Sequence, residues 1–184
     1  MINITDPKKG STWLKENKIL LHPTDGVWGL GCGVNKEAID LLNQLKERQP
    51  AKNLIVLLPS IKSINKHVLN LSDEEIIFLN NIWPGHITVL FRANDRADRL
   101  IVSEKGKIAI RVSTHYHLNT LLEEFNQPMI STSANKSNQP TPTDIYAIKD
   151  TFDHPKVALY DFPLGLENKP SQIIDMNTKE IIRA

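Results

Sequence analysis

Residues 129–143, MISTSANKSNQPTPT, begin apolar at Met129 and Ile130 and continue in small hydroxyl and amide side chains: Ser131, Thr132, Ser133 and Asn135. A buried strand that runs out into such residues suits a ligand loop. Small side chains let a ligand approach the backbone, and open α/β sheets bind ligands beyond the carboxyl ends of their strands. Composition alone leaves this stretch open between that and an ordinary capped Ser/Asn/Pro loop. Upstream, Lys46, Arg48 and Lys52 cluster between a helical pattern and an apolar strand. They either complement a helix C-terminus or bind an anion such as a phosphate. With Thr24, Thr143 and Arg111 the set is rich in hydrogen bonders and cations but has no evident nucleophile. It suits a reaction carried by positioning and charge stabilisation, and nucleotidyl transfer is the class that fits. Lysine and arginine would neutralise phosphate oxygens as pyrophosphate leaves, with magnesium brought by the nucleotide.

Other chemistries find less support. No Ser/His/Asp triad can be placed. The histidines (His22, His67, His86, His115, His117, His154) are scattered, without a helical metal pair. Asp73, Glu74 and Glu75 read as a solvated helix N-terminus rather than paired catalytic acids. HPTDGVWGLGCGV is rich in glycine but lacks the Gly-Lys-Ser/Thr ending of a phosphate-binding loop. Cys32 is the sole cysteine, so there is neither an intrachain disulfide nor a cysteine metal cluster.

These residues need a scaffold, and the rest of the chain supplies the signals for one. The 184 residues are read as a single domain, 1–184. With 22 Lys+Arg against 21 Asp+Glu, bulk charge does not suggest a protein that coats nucleic acid. The N-terminus lacks the apolar core of a signal peptide and no apolar run is long enough to span a membrane, so a cytoplasmic protein is expected. Asp6-Pro7 opens a short helix. Ile19–Leu21 reads as a buried strand, and a second strand follows the glycine-rich loop. Asn35 caps a helix with Ala38, Ile39, Leu41, Leu42 and Leu45 on its apolar face. Ser72 and Glu75 form a capping box for another. Strands are read over 54–58, 87–91, 107–112, 157–160, 172–175 and 180–183. Helices are read over 60–69, 118–125 and 143–152. Short strands with interspersed helices predict an α/β or α+β domain with a mixed sheet.

Several segments together resemble one family. HPTDGVWGLGC is similar to its Y-P-T-E-x-x-x-G-L-G segment, and LKERQPAKNLIVL to its K-x-R-P-x-x-K/N-P-L segment. WPGHITVLF is similar to W-P-G-P-x-T, KIAIRV to the strand that carries its arginine, and STSANKSNQPTPT to S-x-S-A-N-x-S-G-x-P-x-x-T. They stand in family order from about Ile19 to Arg183 and resemble the YrdC/TsaC family, the threonylcarbamoyl-AMP synthases, in its short single-domain form. The resemblance implies a twisted, open, mostly parallel α/β sheet with helices on both sides and a large concave cavity. It implies condensation of L-threonine, bicarbonate and ATP, with Mg2+, into threonylcarbamoyl-AMP and pyrophosphate. The product would serve modification of adenosine 37 in tRNAs that read ANN codons. By the same resemblance Thr24, Arg111, Ser133 and Ser171 hold threonine. Lys46, Arg48, Lys52, Lys107, Asn135, Thr143 and Arg183 hold the nucleotide. Lys46, Arg48, Ser133 and Asn135 form the basic-polar catalytic tetrad.

The chain departs from the family pattern in places. His22 replaces Tyr, Asp25 replaces Glu, Gln49 stands before Pro50, His86 replaces Pro, Asn138 replaces Gly and Gln172 replaces Thr. None removes a cation or the Ser133/Asn135 pair. Two other readings use the same residues. One is a non-catalytic protein that binds tRNA or double-stranded RNA, or matures ribosomes, through a concave basic surface. The other is a carbamoyl-transfer module that works only with partners, such as downstream threonylcarbamoyl-transferase proteins. The placement of Ser133 and Asn135 after an apolar strand favours a small ligand over RNA.

Overall fold

The structure, a computed structural model, describes residues 1–48 and 54–184. Its centre is one sheet with strand order β1-β8-β2-β3-β7-β4-β6-β5-β9-β10. The strands are β1 (Ile2–Ile4), β2 (Ile19–His22), β3 (Gly29–Gly33), β4 (Ile55–Leu57), β5 (Ile87–Arg92), β6 (Lys107–Arg111), β7 (Met129–Ser133), β8 (Val157–Tyr160), β9 (Gln172–Asp175) and β10 (Ile181–Arg183). The helices are α1 (Pro7–Lys15), α2 (Lys36–Leu45), α3 (Asp73–Ile82), α4 (Tyr116–Phe125) and α5 (Ile145–Thr151). Residues 60–69, expected as a helix, form a 3-10 turn at Ile61–Lys66, and a second short 3-10 turn breaks the 92–106 loop.

The sheet is mixed, as expected, but parallel pairs do not predominate. β1–β8, β2–β8, β4–β6 and β5–β9 are parallel. β2–β3, β3–β7, β4–β7, β5–β6 and β9–β10 are antiparallel. Short connections explain part of the difference. The 23–28 loop and the 176–180 turn are too brief for a crossover helix, so the strands they join must pair antiparallel.

Capping residues act as the sequence implies. Asp6 accepts from the Lys8 amide, Asn35 from the Glu37 and Ala38 amides, and Asp144 from the Tyr146 amide. Ser72 and Glu75 close a reciprocal capping box. Asn138, standing where the family pattern has Gly, takes a left-handed φ of 64°, which asparagine tolerates better than most residues.

Period-2 alternation sorts the strands between two cores. On β6, Ile108 and Ile110 point into the larger core, where α2, α3 and α5 bury Ala38, Leu42, Leu79 and Ile148. Helices α1 and α4 cover the opposite face with Leu14, Leu118, Leu122 and Phe125, packed on Leu20, Met129 and Ala158. Helices therefore lie on both sides. On the α1/α4 face, however, that second core reaches only as far as Met129 and Leu57. Beyond it Ile55, Ala109, Arg111, Leu90 and Ile173 line a hollow.

Candidate active site

The hollow has a volume of about 220 Å³. Alternation on β6 places Lys107, Ala109 and Arg111 on the face opposite Ile108 and Ile110. Across β4, Leu57 pairs in register with Arg111, and Ile55 pairs with Ser131 of β7. Ser131, Thr132 and Ser133 close one side, Thr24 and Val27 another, and Pro170, Ser171, Ile182 and Arg183 the third. A floor of small aliphatics with hydroxyls at one end and guanidiniums at the other suits a small polar ligand with one anionic group.

Arg111 is the cation at its base, 6 % exposed. Its Nη2 donates to Asp25, itself 4 % exposed, and to Nδ1 of His86 at 3.2 Å. Asp25 also accepts from the Ser113 hydroxyl at 2.5 Å, from the Thr114 amide at 2.9 Å and from the Thr114 hydroxyl. That buried carboxylate holds Arg111 and the 113–114 turn in place. The Nε of Arg111 is buried and has no hydrogen-bond partner among the described residues. Burial, reinforced by the nearby charge of Arg183, pulls the Arg111 guanidinium down to about 10, while Glu167 opposes the shift. Two arginines on one cavity, the charge of one lowering the other's proton affinity, favour an anion between them.

Arg183 donates through Nε and Nη2 to the Ser171 carbonyl at 3.1 and 2.6 Å, and through Nη2 to the Ser171 hydroxyl at 3.3 Å. Ser171 is buried, its hydroxyl 2.8 Å from that of Thr88. Thr24 donates to the Val27 carbonyl at 2.6 Å, which shapes the turn lining the wall.

At the β7 end Ser133 donates to Oδ1 of Asn135 at 2.5 Å. The Asn135 amide donates to the carbonyls of Lys136 at 2.9 Å and Gln139 at 2.6 Å. Lys46 is not a rim cation. It is 3 % exposed, and its ammonium donates to the carbonyls of Ser133 and of Asn135, the latter at 2.6 Å. Arg48 reaches the Thr132 hydroxyl at 3.4 Å, and burial lowers its pKa. Ser133 thus lines the hollow, while Lys46 and Asn135 hold the loop that carries it.

The remaining expected residues are spread more widely. Lys107 pairs with Asp175 in a second depression of about 410 Å³, which shares Leu90 and Ala109 with the first. Thr143 is exposed just ahead of the α5 cap and does not line the hollow. Lys52 lies outside the described residues. Two residues of the site were not singled out from sequence. His22 is fully buried, with Nδ1 3.0 Å from the Pro23 carbonyl and Nε2 3.1 Å from the Ser131 hydroxyl. His86 joins Arg111 to the 161–170 segment. The available signal was that both histidines sit where the family pattern has another residue.

A family model named Sua5_yciO_yrdC, described as telomere recombination, matches residues 12–184. Relatives named threonylcarbamoyl-AMP synthase from Chromohalobacter salexigens and Vibrio vulnificus are 33% and 31% identical over 171 and 173 residues. Each match covers 92% of this chain, and 92% and 93% of the respective relative. Among solved structures, E. coli YciO matches with a TM-score of 0.85 at 21% identity, over 99% of this chain and 92% of its own. P. abyssi Sua5, solved in complex with L-threonine, matches with a TM-score of 0.85 at 23% identity. That match covers 95% of this chain but 53% of Sua5, so the chain spans about half of that protein's length.

Proposed function

Since the chain belongs to the Sua5/YciO/YrdC family, we propose that it condenses L-threonine, bicarbonate and ATP into threonylcarbamoyl-AMP and pyrophosphate. The observation that carries this reading is the pair of guanidiniums, Arg111 and Arg183, that line one small hollow with Thr24, Ser133 and Ser171. A carboxylate between them offsets the repulsion of the two like charges. The hollow is smaller than the roughly 300–1,000 Å³ of drug-sized sites, in keeping with an amino acid. Thr24 and Ser171 flank the threonine side chain, and Ser133 stands toward the amine.

The threonine amine adds to bicarbonate with loss of water. The resulting carbamate oxygen then attacks the α-phosphorus of ATP, and the bond to pyrophosphate breaks. This makes the transfer a nucleotidyl transfer. The chain's part is to orient the reactants and offset phosphate charge, through Arg48, Lys52 and Lys107 with the Lys46-braced Ser133–Asn135 loop and with Thr143 at the margin, while Arg183, expected at the nucleotide, serves the threonine carboxylate instead. Magnesium is proposed to enter with the nucleotide phosphates. The product passes to downstream threonylcarbamoyl-transferase proteins for tRNA modification in the cytoplasm. No helix among the described residues is long and apolar enough to cross a membrane. The double-stranded-RNA reading has less to stand on, because Arg111 is buried within the hollow rather than displayed on a surface.

The test is pyrophosphate release from ATP by the purified protein. Release is expected only when threonine and bicarbonate are both present, and release indifferent to threonine would overturn the reading.

A further inference from the structure

His86 bridges Arg111, at the base of the hollow, and the backbone of Lys169, next to the lining residues Pro170 and Ser171. Its Nδ1 lies 3.2 Å from Nη2 of Arg111, and its Nε2 lies 2.9 Å from the carbonyl of Lys169. The partners dictate the tautomer. Arginine can only donate and a backbone carbonyl can only accept, so Nδ1 carries a lone pair and Nε2 a proton.

The geometry at Arg111 gives this contact a consequence. The ion pair with Asp25 runs through a single nitrogen, Nη2. One contact at one nitrogen leaves the guanidinium free to swing about it. The second hydrogen on Nη2 goes to His86, and two acceptors at one nitrogen fix the plane of the whole group. The plane in turn sets where the unspent Nε–H points. At its other nitrogen the ring anchors Lys169, and the next two residues, Pro170 and Ser171, line the hollow. A Cβ at position 26 would lie 2.9 Å from Cε1 of His86 and 2.1 Å from the Lys169 carbonyl oxygen. Gly26 therefore leaves the space in which ring and segment meet.

We infer that His86 is a positioning residue that sets the Arg111 guanidinium and the Lys169–Ser171 wall relative to each other, and thereby determines how tightly the amino-acid substrate is held. The inference rests on the proposed threonine site and adds a residue in which this chain departs from its family pattern. His86 touches neither the nucleotide-side loop nor Ser133, so its effect falls on threonine rather than on ATP.

The experiment is isothermal titration of the full-length protein with L-threonine, together with KM for threonine and for ATP, for wild type, His86→Ala and His86→Asn. Loss of the ring is expected to weaken threonine binding about tenfold, while KM for ATP and kcat change less than about twofold. Asparagine, whose amide oxygen can stand in for Nδ1 toward Arg111, is expected to recover part of the loss. Imidazole nitrogen NMR of the wild type is expected to show the Nε2–H tautomer for His86. Wild-type threonine affinity in His86→Ala, or the Nδ1–H tautomer, overturns this inference alone. A wild-type protein without threonine affinity overturns the proposed function itself, and this inference with it.

Discussion

Ser131 and His22 face each other across β3, with the serine hydroxyl 3.1 Å from the imidazole Nε2. The opposite nitrogen donates to the Pro23 carbonyl, and in the neutral ring that burial favours, Nε2 accepts from the serine. Burial outweighs that carbonyl contact and, with the charges of His115 and Arg111, lowers the ring to about 4. The folded state thus refuses a proton that the unfolded chain takes up near the ordinary value of about 6.5. The unfolded state binds more protons between those two values, so stability is full above about 6.5 and is lost as the pH falls toward 4. Going from about pH 7 to about pH 5, the wild type should lose roughly 2 kcal/mol that His22→Gln does not lose. Urea unfolding of both proteins at both pH values measures the difference. Equal losses would mean that the ring is not buried neutral.

The same ring accounts for Gly29. A Cβ there would lie 2.7 Å from Cε1 and Nε2 of His22 and 3.0 Å from the Ser131 hydroxyl. Gly29→Ala should cost about 1–3 kcal/mol by overpacking. In a His22→Ala background the ring is gone and most of that cost should vanish. A double-mutant cycle reads the coupling, and additivity of the two changes would refute the close contact.

These two residues also show where the sequence was legible. The caps at Asn35 and Ser72 and the strand at 107–111 are local signals, and each appears where the sequence puts it, whereas the helix read from residue 143 starts two residues later, capped by Asp144. The Ser133–Asn135 loop was equally legible, because its chemistry lies within a few adjacent residues. What was not legible depends on distant partners. β1 is three residues long and exists through its pairing with β8, more than 150 positions away. The count of parallel pairs depends on strand order, which alternation does not encode. For Lys46 the sequence left a helix-end cation and an anion binder both open, because nothing local reveals the two carbonyls of β7 and its loop to which its buried ammonium donates.

Asp25 offers a direct test of the cavity base. Removing its carboxylate leaves Arg111 buried without its ion partner and strips the 113–114 turn of its acceptor. Breaking a buried pair from one side costs about 3–5 kcal/mol. Asp25→Ala should therefore lower stability by that order, and Asp25→Asn, which keeps the shape and one acceptor, by less. Chemical denaturation gives both values. A fully stable Asp25→Ala that lacked only activity would point instead to a catalytic carboxylate.

Lys46 and Arg48 separate bracing from chemistry. The Lys46 ammonium is inside the protein and donates to the backbone of Ser133 and Asn135, whereas Arg48 is half-buried and reaches the cavity-lining Thr132. A hydrogen bond to a charged group contributes about 1.5–3 kcal/mol, and those to the Ser133 and Asn135 carbonyls are both of this kind. Lys46→Ala should then lose pyrophosphate release and folding stability together, since the loop that presents Ser133 loses its support. Arg48→Ala should lose pyrophosphate release with a much smaller change in stability. Thermal unfolding alongside the release assay distinguishes them. If Lys46→Ala were as stable as the wild type yet inactive, its ammonium would have to act on the substrates rather than on β7 and the loop that follows.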